Sequence, residues 1–338
     1  MKNWSFLNKF VLIAGLVLAS QGFALNCVNS TGWGDFLIQA ADKDTTDGYY
    51  KIDTPEKLAW VSCNVTNKAL SSEKFKLTKS LDMQGKLFFP IGSGTGEDTG
   101  FKGTFDGQGF TISNLYVNTS EINSDISGIT GKSKNGVTAY AQNIGLFGIL
   151  SNNATVKNLI LKDVQIYAAA SSGTTGLGSD KPISVGSLVG WVGATDKMVV
   201  KIENIVASGS IETSGATNRV GGIAGNVKHV TISNCVSSVS VTASGANTNV
   251  GGVVGAIRND GNVTLTSCVY SGDHLYTVDG SIGAVAGSYE NSKGTLTTEN
   301  LYYSDDFCQE FENPDVCPGI GKLPDGKTFN ADSIDNLN

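Results

Sequence analysis

The chain has 338 residues and a net charge of −7, and Arg219 and Arg258 are its only arginines. With no basic cluster to neutralise a run of phosphates, nucleic-acid binding is excluded. Charged residues are sparse at 16%, while Gly, Ser, Thr, Asn and Val are common, a composition of strands and turns rather than helices.

Lys2 and Lys9 precede the apolar run Phe10–Ala19, which ends near Gly22-Phe23-Ala24. This is the pattern of a secretory signal peptide over residues 1–24, cut after Ala24. The run is shorter than the roughly 20 apolar residues of a membrane-spanning helix, and no later stretch reaches that length, so no transmembrane segment is expected. Loss of the two leader lysines takes the charge to −9. The sequence therefore predicts an exported chain placed outside the cell, at its surface or in the periplasm. Six cysteines suit such a compartment. They allow 15 pairings, among which Cys27 with Cys63, Cys235 with Cys268, and Cys308 with Cys317 stand out by position.

Residues 25–74 read as an N-terminal segment and cap. Asp42–Gly48 superficially resembles a calcium loop, but its third acid falls at position 6 rather than 5. It is read as a turn, and no metal site is assigned. Thr54-Pro55-Glu56 supplies an N-cap, a first-turn proline and an acid at the positive end of the dipole, so a short helix is expected over 55–63. Leu58, Ala59, Trp60 and Val61 would cover the open end of a stack.

From residue 75 the apolar and polar residues alternate, as in Phe75–Met83, and two signatures recur. Val220-Gly221-Gly222-Ile223-Ala224-Gly225 returns 30 residues later at Val250–Gly255, with weaker copies at Ile144, Val185 and Ile282. A second column reads Asn114, Asn158, Asn204, Asn234, Ser267 and Asn300, each flanked by apolar residues. Such a period marks stacked units that bury their apolar faces only against neighbours. Asn tolerates left-handed backbone, so the column is placed at a bend, with an asparagine ladder from layer to layer. The glycines are assigned to sharp turns and close layers; no lysine and helix follow them as a phosphate loop requires. Loops at 119–142, 167–183, 193–199, 213–219, 243–249 and 271–281 lie between the columns. Residues 304–338 leave the repeat as a C-terminal cap or tail.

Gly145-Leu146-Phe147-Gly148 and its relatives, with Thr54-Pro55-Glu56-x-Leu58-Ala59-Trp60 and Phe101-x-Gly103-Thr104-Phe105-Asp106-Gly107 ahead of them, resemble the GLUG motif of bacterial secreted and surface proteins. The resemblance spans roughly residues 49–303. It implies an all-β, right-handed parallel β-helix over 75–303, with adhesin-like members and others beside immunoglobulin-cleaving protease domains. The protease activity is not carried over: His229 and His274 are the only histidines, and no His-Glu-x-x-His site exists.

The function expected is a non-enzymatic, adhesin-like or cell-envelope module. It would meet an extracellular glycan or envelope polymer through its loops. The alternative is a polysaccharide lyase or hydrolase, and the residues that would carry it are few. Asp106 reads as a turn residue, Asp305 and Asp306 diverge along a strand, Arg219 and Arg258 have only Asp260 near in sequence, and Glu203 and Glu299 face outward. No catalytic residue, cofactor or metal is assigned, and Cys235 and Cys268 are read as core thiols or an inter-turn bond.

Overall fold

The structure, a computed structural model, describes residues 27, 31–93, 100–125, 142–169, 183–215, 218–258, 260–290, 293–304, 319–323 and 332–334. The leader, Cys308, Cys317, Asp305 and Asp306 lie outside the described residues.

Short alternating runs of β-branched residues become strands because each can bury one face. In Val236–Ala243, Ser237, Val239, Val241 and Ala243 are buried and the residues between them are partly exposed. Such strands form three sheets with parallel ladders, of 5, 6 and 15 strands among the described residues. The register joins the residues that repeat in the sequence. Val185 pairs with Val220 and Val220 with Val250, and Ile202 pairs with Ile232 and Ile232 with Leu265. Each repeat thus adds one rung to every sheet, and the apolar rows merge into one core.

At the N-terminal end that core is aromatic. Tyr50, Phe75, Phe101 and Phe147 follow one another with ring centroids 5.5, 5.9 and 5.4 Å apart. In register Phe147 itself follows Ile91 in another sheet, and that row continues as Val189, Ala224, Val254 and Ala286. The helix runs Pro55–Thr66, a turn longer than expected, with Thr54 Oγ1 accepting from Lys57 N. Leu58, Val61 and Val65 are fully buried, and Trp60 lies 5.5 Å from Tyr50 at the end of the aromatic row. The strand Tyr50–Ile52 already pairs in parallel with Lys74–Leu77, so the ladder begins ahead of the helix, not at residue 75. A disulfide joins Cys27 to helical Cys63, whereas Cys235 and Cys268 are buried free thiols. In the tail, Ile320–Lys322 and Asp332–Ile334 each extend a parallel ladder.

The asparagine column is corrected in two ways. Its members do share a left-handed φ: 54° at Asn158, 57° at Asn204, 54° at Asn234, 52° at Ser267 and 52° at Asn300. Asn114, however, stands in another column. Its N–H bonds Lys162 O beside left-handed Asp163, while the rung below Asn158 is occupied by Asp106 and Gly107. Among the described residues, the only amide-to-amide bond in the column is Asn204 Nδ2 to Asn158 Oδ1, at 2.9 Å. The backbone bend, and not a continuous amide ladder, is what recurs.

The glycine signatures answer first to close approach. A Cβ on Gly225 would sit 2.7 Å from Gly190 O, one on Gly255 2.5 Å from Gly225 O, and one on Gly287 2.6 Å from Gly255 O. None of these glycines has a left-handed φ, but Gly222 and Gly252 stand at the bends where the chain passes from one sheet to the next, and a Cβ on Gly221 would overlap Ala224 O across that turn, so both expected roles apply.

Candidate functional site

The two longest strands, Thr155–Ala169 and Val200–Ser214, lie side by side in the broad sheet. Ile166 and Ala168 point into the core and their neighbours point out, which places Tyr167 on the outer face. Residues 167–169, 213 and 214, expected in loops, therefore belong to strands. The register slips once: two residues, Lys162 and Asp163, stand opposite the single Ser208 between paired Leu161–Ala207 and Val164–Gly209. Asp163 is left-handed and Gly209 has φ 130°, the signature of a bulge.

Beyond the bulge, register forms an outward row of Asn118, Tyr167, Glu212, Thr242 and Tyr276. Tyr167 is 37% exposed and Tyr276 45% exposed, large aromatic faces for a sheet whose other side is fully buried. A groove of about 220 Å³ opens along the row from Asn118 to Thr242, short of Tyr276, and is lined by Asn118, Tyr167, Glu212, Thr242 and Ser244 among others. Its ends are fixed by hydrogen bonds. Thr119 Oγ1 accepts from Ala169 N at 3.0 Å, and Ser244 donates through both N and Oγ to Thr213 O. Tyr116 packs edge-on to Tyr167 with centroids 6.1 Å apart, and its hydroxyl donates to Glu121. That bond leads the causes raising the Tyr116 hydroxyl above its ordinary pKa of 10.0, since a phenolate there would face a carboxylate. His274 stacks on Tyr276, with Nε2 3.1 Å from Thr242 Oγ1. Glu212 is exposed and makes no ion pair or side-chain hydrogen bond with the described residues.

A second concavity, of about 250 Å³, lies beside the helix start and is lined by Asp53, Glu56, Asp82 and Lys86 among others. Two of its acids are already engaged: Asp53 pairs with Lys57 at 2.9 Å, and Asp82 accepts from Gln84 N and Asn114 Nδ2. Of the two, the groove on the broad sheet is the one lined by an exposed aromatic ring, that of Tyr167.

The residues weighed from sequence are dispersed. Asp44 and Asp47 cap their own turn by accepting from Thr46 N and Tyr49 N, and both reach Lys76. Asp106 accepts from Gln108 N at 2.9 Å, an Asx-turn, and from Asn158 Nδ2. Glu203 and Glu299 occupy one row three layers apart, about 14 Å, wider than the ~6.5–9.5 Å of paired carboxylates in inverting glycosidases. Asp260 is bound to Lys228 at 2.8 Å and lies 3.8 Å from Arg258. Arg219 reaches Glu290 at 3.7 Å, and burial lowers its pKa. The Cys235 thiol is pushed well above its ordinary value by burial, which makes it a poor nucleophile.

Tyr167, Glu212 and Tyr276 carried no sequence signal of their own. They recur 45 and 64 residues apart, and the bulge at Asp163 offsets any count from the asparagine column by one. Aligning the outward positions of the strands after correcting for that extra residue would have found them.

No family model matches the chain. Halomucin of Haloquadratum walsbyi (strain DSM 16790 / HBSQ001) is 28% identical over 187 residues, 53% of this chain and 2% of that protein. The chain thus spans a very small part of the curated relative it matches. A solved structure from Bacteroides ovatus, provisionally named an immunoglobulin A1 protease, superposes with a TM-score of 0.45 at 17% identity, covering 87% of this chain and 82% of that one. A likeness this slight carries no functional argument. No helix among the described residues is long and apolar enough to cross a membrane.

Proposed function

We propose that the chain is an exported, non-enzymatic, right-handed parallel β-helix of the GLUG-motif kind, acting as an adhesin-like or cell-envelope module. Its partner is an extracellular glycan or envelope polymer held in the groove at Tyr167 and Glu212. The parallel rungs supply the architecture, and the right hand follows from the strong preference of parallel strand connections for it. The leader pattern at residues 1–24 and the Cys27–Cys63 disulfide support an oxidising, external compartment.

The observation that carries the reading is the outward row of Tyr167, Glu212 and Thr242 along an open groove, with exposed Tyr276 on the next rung past its lining. Amphipathic aromatic rings set among hydroxyls, amides and a carboxylate are the usual means of holding a polyhydroxylated chain. The contact then falls on the sheet face where the expected loop segments begin. A glycan array, together with envelope polysaccharide pull-downs, tests it using the mature chain beside Tyr167→Ala. Captured ligand should fall by roughly tenfold in the variant, the loss of one stacked ring in a small site. Retention of every ligand by Tyr167→Ala would place the binding surface away from the groove, and capture of none by the wild type would leave a purely structural rod.

A further inference from the structure

We infer that the groove is selective for a polysaccharide carrying amino sugars, laid along the stacking direction and so across the strands. The inference rests on the binding role proposed above and adds the ligand's charge and orientation.

Orientation follows from register. The row Asn118, Tyr167, Glu212, Thr242 and Tyr276 takes one residue from each of five successive rungs. Side chains in such a row repeat every strand spacing, so Tyr167 and Tyr276 are separated by about 14 Å. A sugar unit in an extended polysaccharide advances by close to one such spacing, so a chain laid along the row meets a new side chain with each unit. Tyr167 offers its ring within the groove, Glu212 and Thr242 face the next units, and Tyr276, exposed just past the lining and stacked on one side by His274, would meet a unit that runs beyond it. A chain laid along the strands would cross a single member of the row and leave the others without contact.

Charge follows from the lining. Among the described residues that line the groove, Glu212 is the only ionisable group besides the phenol of Tyr167, and no Lys or Arg is present. The titratable groups beside it are Glu121, engaged by Tyr116 and Asn118, and His274, held against Thr242. Glu212 itself is exposed, and an ionised carboxylate can only accept hydrogen bonds. Its best partner is an ammonium group, and a uronate would meet it with like charge and no guanidinium to offset the repulsion. The chain's net charge of −7 acts in the same direction.

The test is titration calorimetry of the mature chain at low salt with three probes: hexamers of glucosamine, N-acetylglucosamine and galacturonate. The glucosamine hexamer should bind roughly tenfold tighter than the galacturonate hexamer, and raised salt should shrink that ratio. Glu212→Gln should remove the preference, because the amide keeps the acceptor and loses the charge. Tyr167→Ala should weaken both sugars alike. Both side chains point away from the core, and circular dichroism of each variant checks that the fold is intact. A galacturonate hexamer that binds as well as the amino hexamer overturns the inference, as does an unchanged preference in Glu212→Gln. Failure of all three hexamers overturns it too. Array binding of some other polymer would then show that the broader surface role survives without it.

Discussion

At Asn234 the backbone stands at φ 54°, and its stacked neighbours Asn204 and Ser267 stand at 57° and 52°. Only small polar residues and glycine tolerate that region well, which is why Ser can replace Asn in the column but Val cannot. Replacing Asn234 by Gly should change stability by less than about 0.5 kcal/mol, and replacing it by Val should cost about 1–2 kcal/mol, read from urea denaturation. If the amide itself held the column, Gly would be as damaging as Val. The bend was legible in the sequence because an unusual φ demands an unusual residue. The amide ladder was not: side-chain bonding between rungs depends on rotamers that no column of letters records, and only Asn158 and Asn204 form it. Asn114 was misplaced for a similar reason, since Asp106 and Gly107 fill its supposed rung and its own lies beside Asp163.

The cap helix shows which parts of an element announce themselves. Its start was readable from Thr54, Pro55 and Glu56. Its end was not, because burial of Val65 and the bond from Asn64 Nδ2 to Trp60 O carry the helix past Cys63. Those are tertiary effects, and local propensity does not contain them. Extension past Cys63 moves that residue from the expected end of the helix to its interior, where it bonds Cys27 across 36 residues of chain. Closing a loop of that length should stabilise the native state by about 4 kcal/mol on the chain-entropy account. Selective reduction should therefore lower the denaturation midpoint, and a Cys27→Ser, Cys63→Ser chain should reproduce the shift. An unchanged midpoint would mean that the packing of Trp33, whose Nε1 donates to Ser62 Oγ, already anchors this segment. The groove, by contrast, is an element-scale feature that the sequence hid. Its members share a row only after the chain has been wound and the bulge at Asp163 counted.

Among the described residues the ion pairs are few and lie mostly toward the N-terminal end, and several acids there, with Asp260 further on, are tuned to stay charged. Asp47 is held below its ordinary value of 3.8 chiefly by Lys76, Asp53 by Lys57, Asp82 by the Asn114 amide and Asp260 by Lys228. A carboxylate whose folded pKa is depressed adds stability that is complete above its unfolded value and disappears as the pH falls through the folded one. Thermal stability should thus be flat from about pH 7 to 5 and decline below about pH 4, as followed by circular dichroism. A midpoint unchanged down to about pH 2 would mean that these contacts are no stronger than those in the unfolded chain.

The rungs are bonded to one another and to little else, and that has a mechanical consequence. Strands lying across the long direction resist a pull on the two ends one rung at a time, because each layer must be peeled from the next before the following one bears load. The period between Val220 and Val250 is 30 residues, so each detached layer would release about 100 Å of slack. Stretching a single molecule should give a sawtooth of force with steps near that length, whereas a cooperatively unfolding globule would give one large step. A tether of this kind yields in increments under shear and spares the groove at its middle until the outer layers are gone.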